Sequence, residues 1–127
     1  MGTIIDTAVP AGQFALRDTF QRLPGAEFEA VRVAAHDAAS VLSLFWTTAP
    51  DSGRLETALN ADESLNSADR LMGINDRTLY RFEWDESIRL VIQLLLEKHG
   101  TILDARAHHA QWEFRVLFPD HESLSAT

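Results

Sequence analysis

The chain has no cysteine. Disulfides, thiol nucleophiles and cysteine-ligated zinc are therefore excluded. No apolar run reaches the 18 or so residues that a membrane-spanning helix needs. The opening residues, Met1-Gly2-Thr3-Ile4-Ile5-Asp6, lack the basic stretch that begins a secretory leader. The expected location is therefore the cytoplasm. The six glycines are scattered, and G-x-G-x-x-G, G-K-S/T, H-E-x-x-H and G-x-S-x-G are all missing. A phosphate cradle, a zincin site and a nucleophile elbow thus have no footing, and no cofactor is expected. Lysine is nearly missing too: Lys98 stands alone among 11 basic residues, against 19 acidic ones, for a net charge of −8. Such a chain repels phosphate, so no nucleic-acid binding is expected from this segment. Acid-rich, lysine-poor composition suits concentrated salt, where repulsion is screened within about 3 Å at 1 M. A fold more resistant to denaturant in molar KCl than in dilute buffer is the matching expectation.

What is present is ordinary globular material: 127 residues, 46% hydrophobic and 24% charged, enough for one core. Residues 3–9 read as a strand. Leu16, Phe20 and Leu23 follow at helical spacing, stopped by Pro24-Gly25. Residues 27–34 and 41–48 read as two strands joined through residues 35–39. Asp51 is a good N-cap for a helix carrying Leu55, Ala58 and Leu59. Residues 65–74 are a weak strand candidate. Residues 78–84 are a strong one, with Tyr80, Phe82 and Trp84 on one face and Leu79, Arg81 and Glu83 on the other. Asp85 or Ser87 caps the most periodic helix, where Ile88, Val91, Ile92, Leu95 and Leu96 form a stripe that Leu90 and Leu94 widen, predicting deep burial. Gly100 suits its C-terminus. Residues 101–107 and 111–118 are two more strands about a tight turn at His108-His109-Ala110. Pro119-Asp120 opens a last helix.

The order is β-α-β-β-α-β followed by β-α-β-β-α, one unit repeated. Pro50-Asp51 precedes Leu55 as Pro119-Asp120 precedes Leu124, and Gly25 precedes Phe28-Glu29-Ala30 as Gly100 precedes Leu103-Asp104-Ala105. The fold class expected is α+β, two ferredoxin-like βαββαβ units in tandem over residues 1–74 and 75–127. The second unit is incomplete, which points to a domain excised from a longer protein.

Three sets of side chains carry chemistry. His99, His108, His109 and His121 lie around Asp104, but spacing gives only Asp104 and His108 a shared face, too few for a metal site. No metal is expected. Arg81, Glu83, Asp104, Arg106, Glu113 and Arg115 fall on one sheet face if the strands pair simply. Cross-strand ion pairs or an interface account for them better than acid–base catalysis. Trp84 and Trp112, with Tyr80, Phe82, Phe114 and Phe118, read as core. Alternatively Trp84, Trp112 and His108 line a small-molecule pocket.

Four stretches, in this order and spacing, resemble one family: residues 10–16 (PAGQFAL), 79–84 (LYRFEW), 97–103 (EKHGTIL) and 112–120 (WEFRVLFPD). They are similar to the N-terminal regulatory, GAF/HTH-associated domain of haloarchaeal bacterio-opsin-activator-type helix-turn-helix transcription regulators. The resemblance implies a non-catalytic sensor or interaction domain. It also implies one more strand and a DNA-binding helix-turn-helix beyond these residues. A small-molecule effector and a homodimer are the partners it allows. A small ferredoxin-like ligand-binding protein or monooxygenase-like enzyme is the alternative, and a pure dimerisation module a third reading.

Overall fold

A computed structural model describes residues 2–31, 42–97 and 100–118. The elements in chain order are β1 (Thr3–Pro10), a 3-10 turn (Ala11–Gln13), α1 (Arg17–Arg22), β2 (Glu27–Ala30), β3 (Leu44–Thr48), α2 (Ser52–Asn60), β4 (Leu65–Ile74), β5 (Arg77–Trp84), α3 (Glu86–Glu97), β6 (Thr101–His108) and β7 (Gln111–Phe118). The helices start where the caps stand. Asp51 accepts from the backbone N–H groups of Gly53 (3.0 Å) and Arg54 (3.1 Å). Asp85 accepts from Ser87 N–H (3.2 Å) and from its hydroxyl (2.6 Å). Those bonds, the Ser87 hydroxyl foremost, hold the Asp85 carboxyl below the usual range. The His109-Ala110 turn takes φ values of 53° and 59°, a two-residue hairpin with both positions left-handed.

The fold is mixed α+β: one seven-stranded antiparallel sheet, in the order β1-β7-β6-β2-β3-β5-β4, and three α-helices among the described residues. The strands of the two expected units are interleaved in it. β1 lies against β7, β3 against β5, and β2 against β6 at the centre. Strands of residues 1–74 thus sit among strands of 75–127. The reason is the reach of the crossovers: α1 carries the chain from one edge past β7 and β6, and α3 carries it back from β5 past β3 and β2. The extended stretch at residue 27 is shorter than the sequence suggests, ending at Ala30. The weak candidate at 65–74 is a strand over those same residues, a ten-residue edge strand with register shifts at Leu65/Ser67 and Arg70/Met72. The connection at 35–39 and the helix opened by Pro119-Asp120 lie outside the described residues.

Alternation along the strands sends one side chain in two to the core. Phe28, Phe45, Tyr80, Phe82, Trp84, Ala105, Ala107 and Trp112 meet Phe20, Leu55, Leu59, Ile88 and Ile92 from the helices in one cluster. Their rings interlock, with Phe45 contacting Phe82, Trp84 and Trp112 at centroid distances of 5.1, 5.9 and 5.8 Å. α3 is less covered than its pattern predicts. Ile88 and Ile92 are buried, but Leu90, Val91 and Leu94 are 52%, 52% and 60% exposed. The broad apolar stripe marks more surface than the sheet takes up.

A buried polar bracket holds α1 to the loop after α2. Asp62 is 3% exposed. Its Oδ2 accepts from Thr19 N–H (3.0 Å) and the Thr19 hydroxyl (2.7 Å). Its Oδ1 accepts from Ser64 N–H (2.9 Å) and the Ser64 hydroxyl (2.6 Å), while Leu16 N–H donates to Ser64 Oγ (3.0 Å). The α1 N-terminus, entered through Leu16 at φ 66°, is thereby capped by a residue 43 positions away.

Candidate functional site

The helices and the core occupy one face of the sheet. Among the described residues the opposite face is uncovered, and it carries the polar side chains in ordered rows. One row runs across all seven strands: Ala8, Glu113, Arg106, Glu29, Trp46, Leu79, Met72. Beside it Asp6, Arg115 and Asp104 face one another on β1, β7 and β6. Arg115 donates from Nε to Asp6 Oδ1 (2.8 Å), which lowers the Asp6 pKa and raises that of Arg115. Sign follows from direction: this pairing favours the fold above the ordinary carboxylate range and is lost as pH falls through the depressed Asp6 value. Both groups are solvated, so the contribution is small. Arg106 Nε lies 3.2 Å from Glu113 Oε2, and His108 Nε2 lies 3.3 Å from Glu113 Oε1. His108 Nδ1 is 3.1 Å from His109 Nδ1, so one of the two nitrogens carries the shared proton.

Farther along the same face Arg77 stacks its guanidinium 4.9 Å from the Trp46 ring centroid and reaches Glu29 Oε2 at 3.6 Å. Two shallow clefts follow from these rows. One, of about 240 Å³, is bounded by Glu27, Glu29, Trp46, Arg77, Arg106 and His108. The other, of about 380 Å³, lies among Asp6, Asp104, Arg106, Glu113 and Arg115. Both are open, and most of the charged groups that line them are paired, Arg77 with Glu29, Arg106 and His108 with Glu113, and Arg115 with Asp6. Such a surface suits contact with a complementary polar surface.

The structure brings four of the six expected face residues together: Asp104, Arg106, Glu113 and Arg115 are neighbours on β6 and β7. Arg81 and Glu83 are not beside them. β3 and β2 intervene between β5 and β6, which at a strand spacing of about 4.8 Å sets them about 14 Å off. Glu83 instead accepts from the Ser67 hydroxyl (3.4 Å), and Arg81 opposes Asp69 and Leu44. The trio of Trp84, Trp112 and His108 does not converge on a pocket either. Both tryptophans are in the core, 3% and 0% exposed, with Trp84 Nε1–H donating to Leu42 O (2.7 Å) and Trp112 Nε1–H to Ala15 O (2.9 Å). His108 points from the other side of the sheet, because it is one residue out of phase with buried Ala107. Trp46, Arg77, Glu29 and Asp6 were missed. Residue type and alternation do not show which strands become neighbours. His99 and His121 lie outside the described residues, and no group of three metal-ligating side chains comes together among the described ones.

The described residues thus form a mixed α+β domain whose antiparallel sheet carries rows of polar side chains on one face. The chain belongs to the family described as BAT, the GAF and HTH_10 associated domain, which it matches over residues 11–126, the N-terminal regulatory domain of bacterio-opsin-activator-type regulators. No curated protein and no solved structure is significantly similar to it. No described helix is long and apolar enough to cross a membrane.

Proposed function

We propose that this chain is the sensing or interaction part of a haloarchaeal transcription regulator, working in the cytoplasm. It is non-catalytic, needs no cofactor and does not contact DNA itself. DNA is reached through a helix-turn-helix elsewhere in the regulator. The observation that carries this reading is the sheet face that no described helix covers, with its Glu113–Arg106–Glu29–Trp46 row, in a chain that belongs to a regulatory family. The excess of 19 acidic over 11 basic residues supports the exclusion of DNA. The face serves a protein surface, a second copy of the chain included, and the cleft beside Trp46 is where a small polar effector would bind. Regulation follows if the contacted and free states differ in the packing they favour, since a partner shifts an equilibrium only by its differential affinity.

The test is in cells. Residues 11–126 are removed in frame from the gene that encodes them, and transcripts are sequenced. A defined set of transcripts should change. An unchanged transcriptome under all growth conditions tried would overturn the regulatory reading.

A further inference from the structure

The two central strands carry opposite charges that face each other and do not pair. Glu29 on β2 stands directly across from Arg106 on β6. Side chains so opposed have Cβ atoms about 4.5–5.5 Å apart, and opposite charges there ordinarily join. These two turn away from each other. Arg106 Nε goes to Glu113 on β7 (3.2 Å), and Glu29 leans to Arg77 on β5 (3.6 Å). The next position on the same face repeats the pattern. His108 on β6 goes to Glu113 (3.3 Å), and Glu27 on β2 has no ion pair among the described residues. The splaying opens the cleft of about 240 Å³, whose floor is Phe28 and Ala107, paired between the two rows.

Its walls differ in sign. One carries Glu27, Glu29 and the Trp46 ring, the other Arg106 and His108. Neither wall is saturated. At 3.6 Å the Glu29–Arg77 contact is longer than a hydrogen bond. Arg106 meets Glu113 through Nε, and a guanidinium has further N–H donors besides. A simple anion would meet Glu27 and Glu29 as well as the net charge of −8. A simple cation would meet Arg106, and the Trp46 ring already holds Arg77 at 4.9 Å. A molecule with both charges satisfies both walls. The walls are one strand spacing apart, about 4.8 Å, so its charges must be close together. The ammonium and carboxylate of an α-amino acid, joined through one carbon, meet that demand. The volume is below the roughly 300–1,000 Å³ of drug-sized sites, so the ligand is small.

The cleft also lies on the sheet's narrowest seam. Among the described residues β2 and β6 are in register at two positions, and every other pair of neighbouring strands at four or more. A ligand held by Glu29 and Arg106 ties β4-β5-β3-β2 to β6-β7-β1. It would thereby favour one packing of the two halves, as an effector must.

We propose that this cleft binds a free α-amino acid, its ammonium against Glu27 and Glu29 and its carboxylate against Arg106 and His108. The site is the effector cleft of the regulatory reading, and the proposal rests on that reading in naming the effector's class.

The test uses the purified chain. Of its three tryptophans Trp46 alone lies outside the core, so its indole N–H signal in proton–nitrogen correlation spectra reports on the cleft. The common amino acids are titrated singly into the millimolar range. At least one should move that signal saturably. The two analogues of that amino acid, one lacking the carboxylate and one the ammonium, should bind about tenfold or more weakly, the scale of a lost charged hydrogen bond. Glu29→Gln and Arg106→Gln should each weaken binding about tenfold, and Glu83→Gln, on the same face outside the cleft, should not. If either variant fails to melt cooperatively, Glu27→Gln takes its place. No saturable shift with any amino acid would overturn the proposal. So would an analogue that binds as well as its parent, or cleft variants that bind unchanged. Each of these failures leaves the transcript experiment standing, so the effector's class and the regulatory reading fall separately.

Discussion

Asp62 is the residue on which the helical layer depends most. Four hydrogen bonds end on its carboxylate, two from Thr19 and two from Ser64. Asp62→Ala would leave Thr19 N–H and its hydroxyl unpaired, with Thr19 fully buried. Unmade buried hydrogen bonds cost about 1–3 kcal/mol each, more at charged groups. The expected loss is about 2–4 kcal/mol, read from denaturant unfolding, and Asp62→Asn should lose distinctly less. A loss under about 0.5 kcal/mol, typical of a surface substitution, would show that the bracket is idle. Sequence alone did not reveal Asp62. It looks like any loop acid, and only the approach of α1 to the α2–β4 loop gives it donors. The caps were legible because Asp51 and Asp85 act on neighbours two or three positions away. Trp84 and Trp112 were legible as core for a related reason. Each is a large ring in strict alternation with polar residues.

At the scale of elements, the strands and helices followed from local pattern, and their adjacency did not. The sheet order places β2 and β3 between β5 and β6. That insertion is set by how far α1 and α3 travel, which no window of sequence encodes. α3 shows the same limit. Among its described side chains, Ile88 and Ile92 are covered while Leu90, Val91 and Leu94 are left exposed. The β6–β7 hairpin was legible by length but carries strain that sequence did not announce. His109 and Ala110 both hold positive φ, which costs a residue with a Cβ roughly 1–2 kcal/mol. Ala110→Gly should relieve that cost against a loss of about 0.4–1 kcal/mol through the freer unfolded chain. A net gain of about 0.5–1 kcal/mol is expected in the midpoint of urea unfolding. A destabilised Ala110→Gly protein would mean that the turn is held by side-chain contacts of Ala110 rather than by its backbone.

For the whole molecule, the sheet divides the labour. One face gives its aromatic side chains to the core, and the other presents Asp6, Arg115, Asp104, Arg106, Glu113, Glu29, Arg77 and Trp46 to whatever approaches. A surface of solvated ion pairs contributes little to stability. It does select partners by charge and register. The α+β class and the regulatory family were legible in the sequence. The location of the polar face was only half so: all six expected residues lie on it, but Arg81 and Glu83 stand three strands from the other four, and the cluster around Trp46 went unread. If the domain acts through this face, transcript output depends on its side chains. The most direct measurement is transcript output in cells whose gene carries Trp46→Ala together with Arg106→Ala, set beside thermal melting of the purified protein. Near-native melting is expected, with output shifted about fivefold or more, the scale of an ordinary coupling between sites. Unaltered output from a protein that melts normally would contradict it.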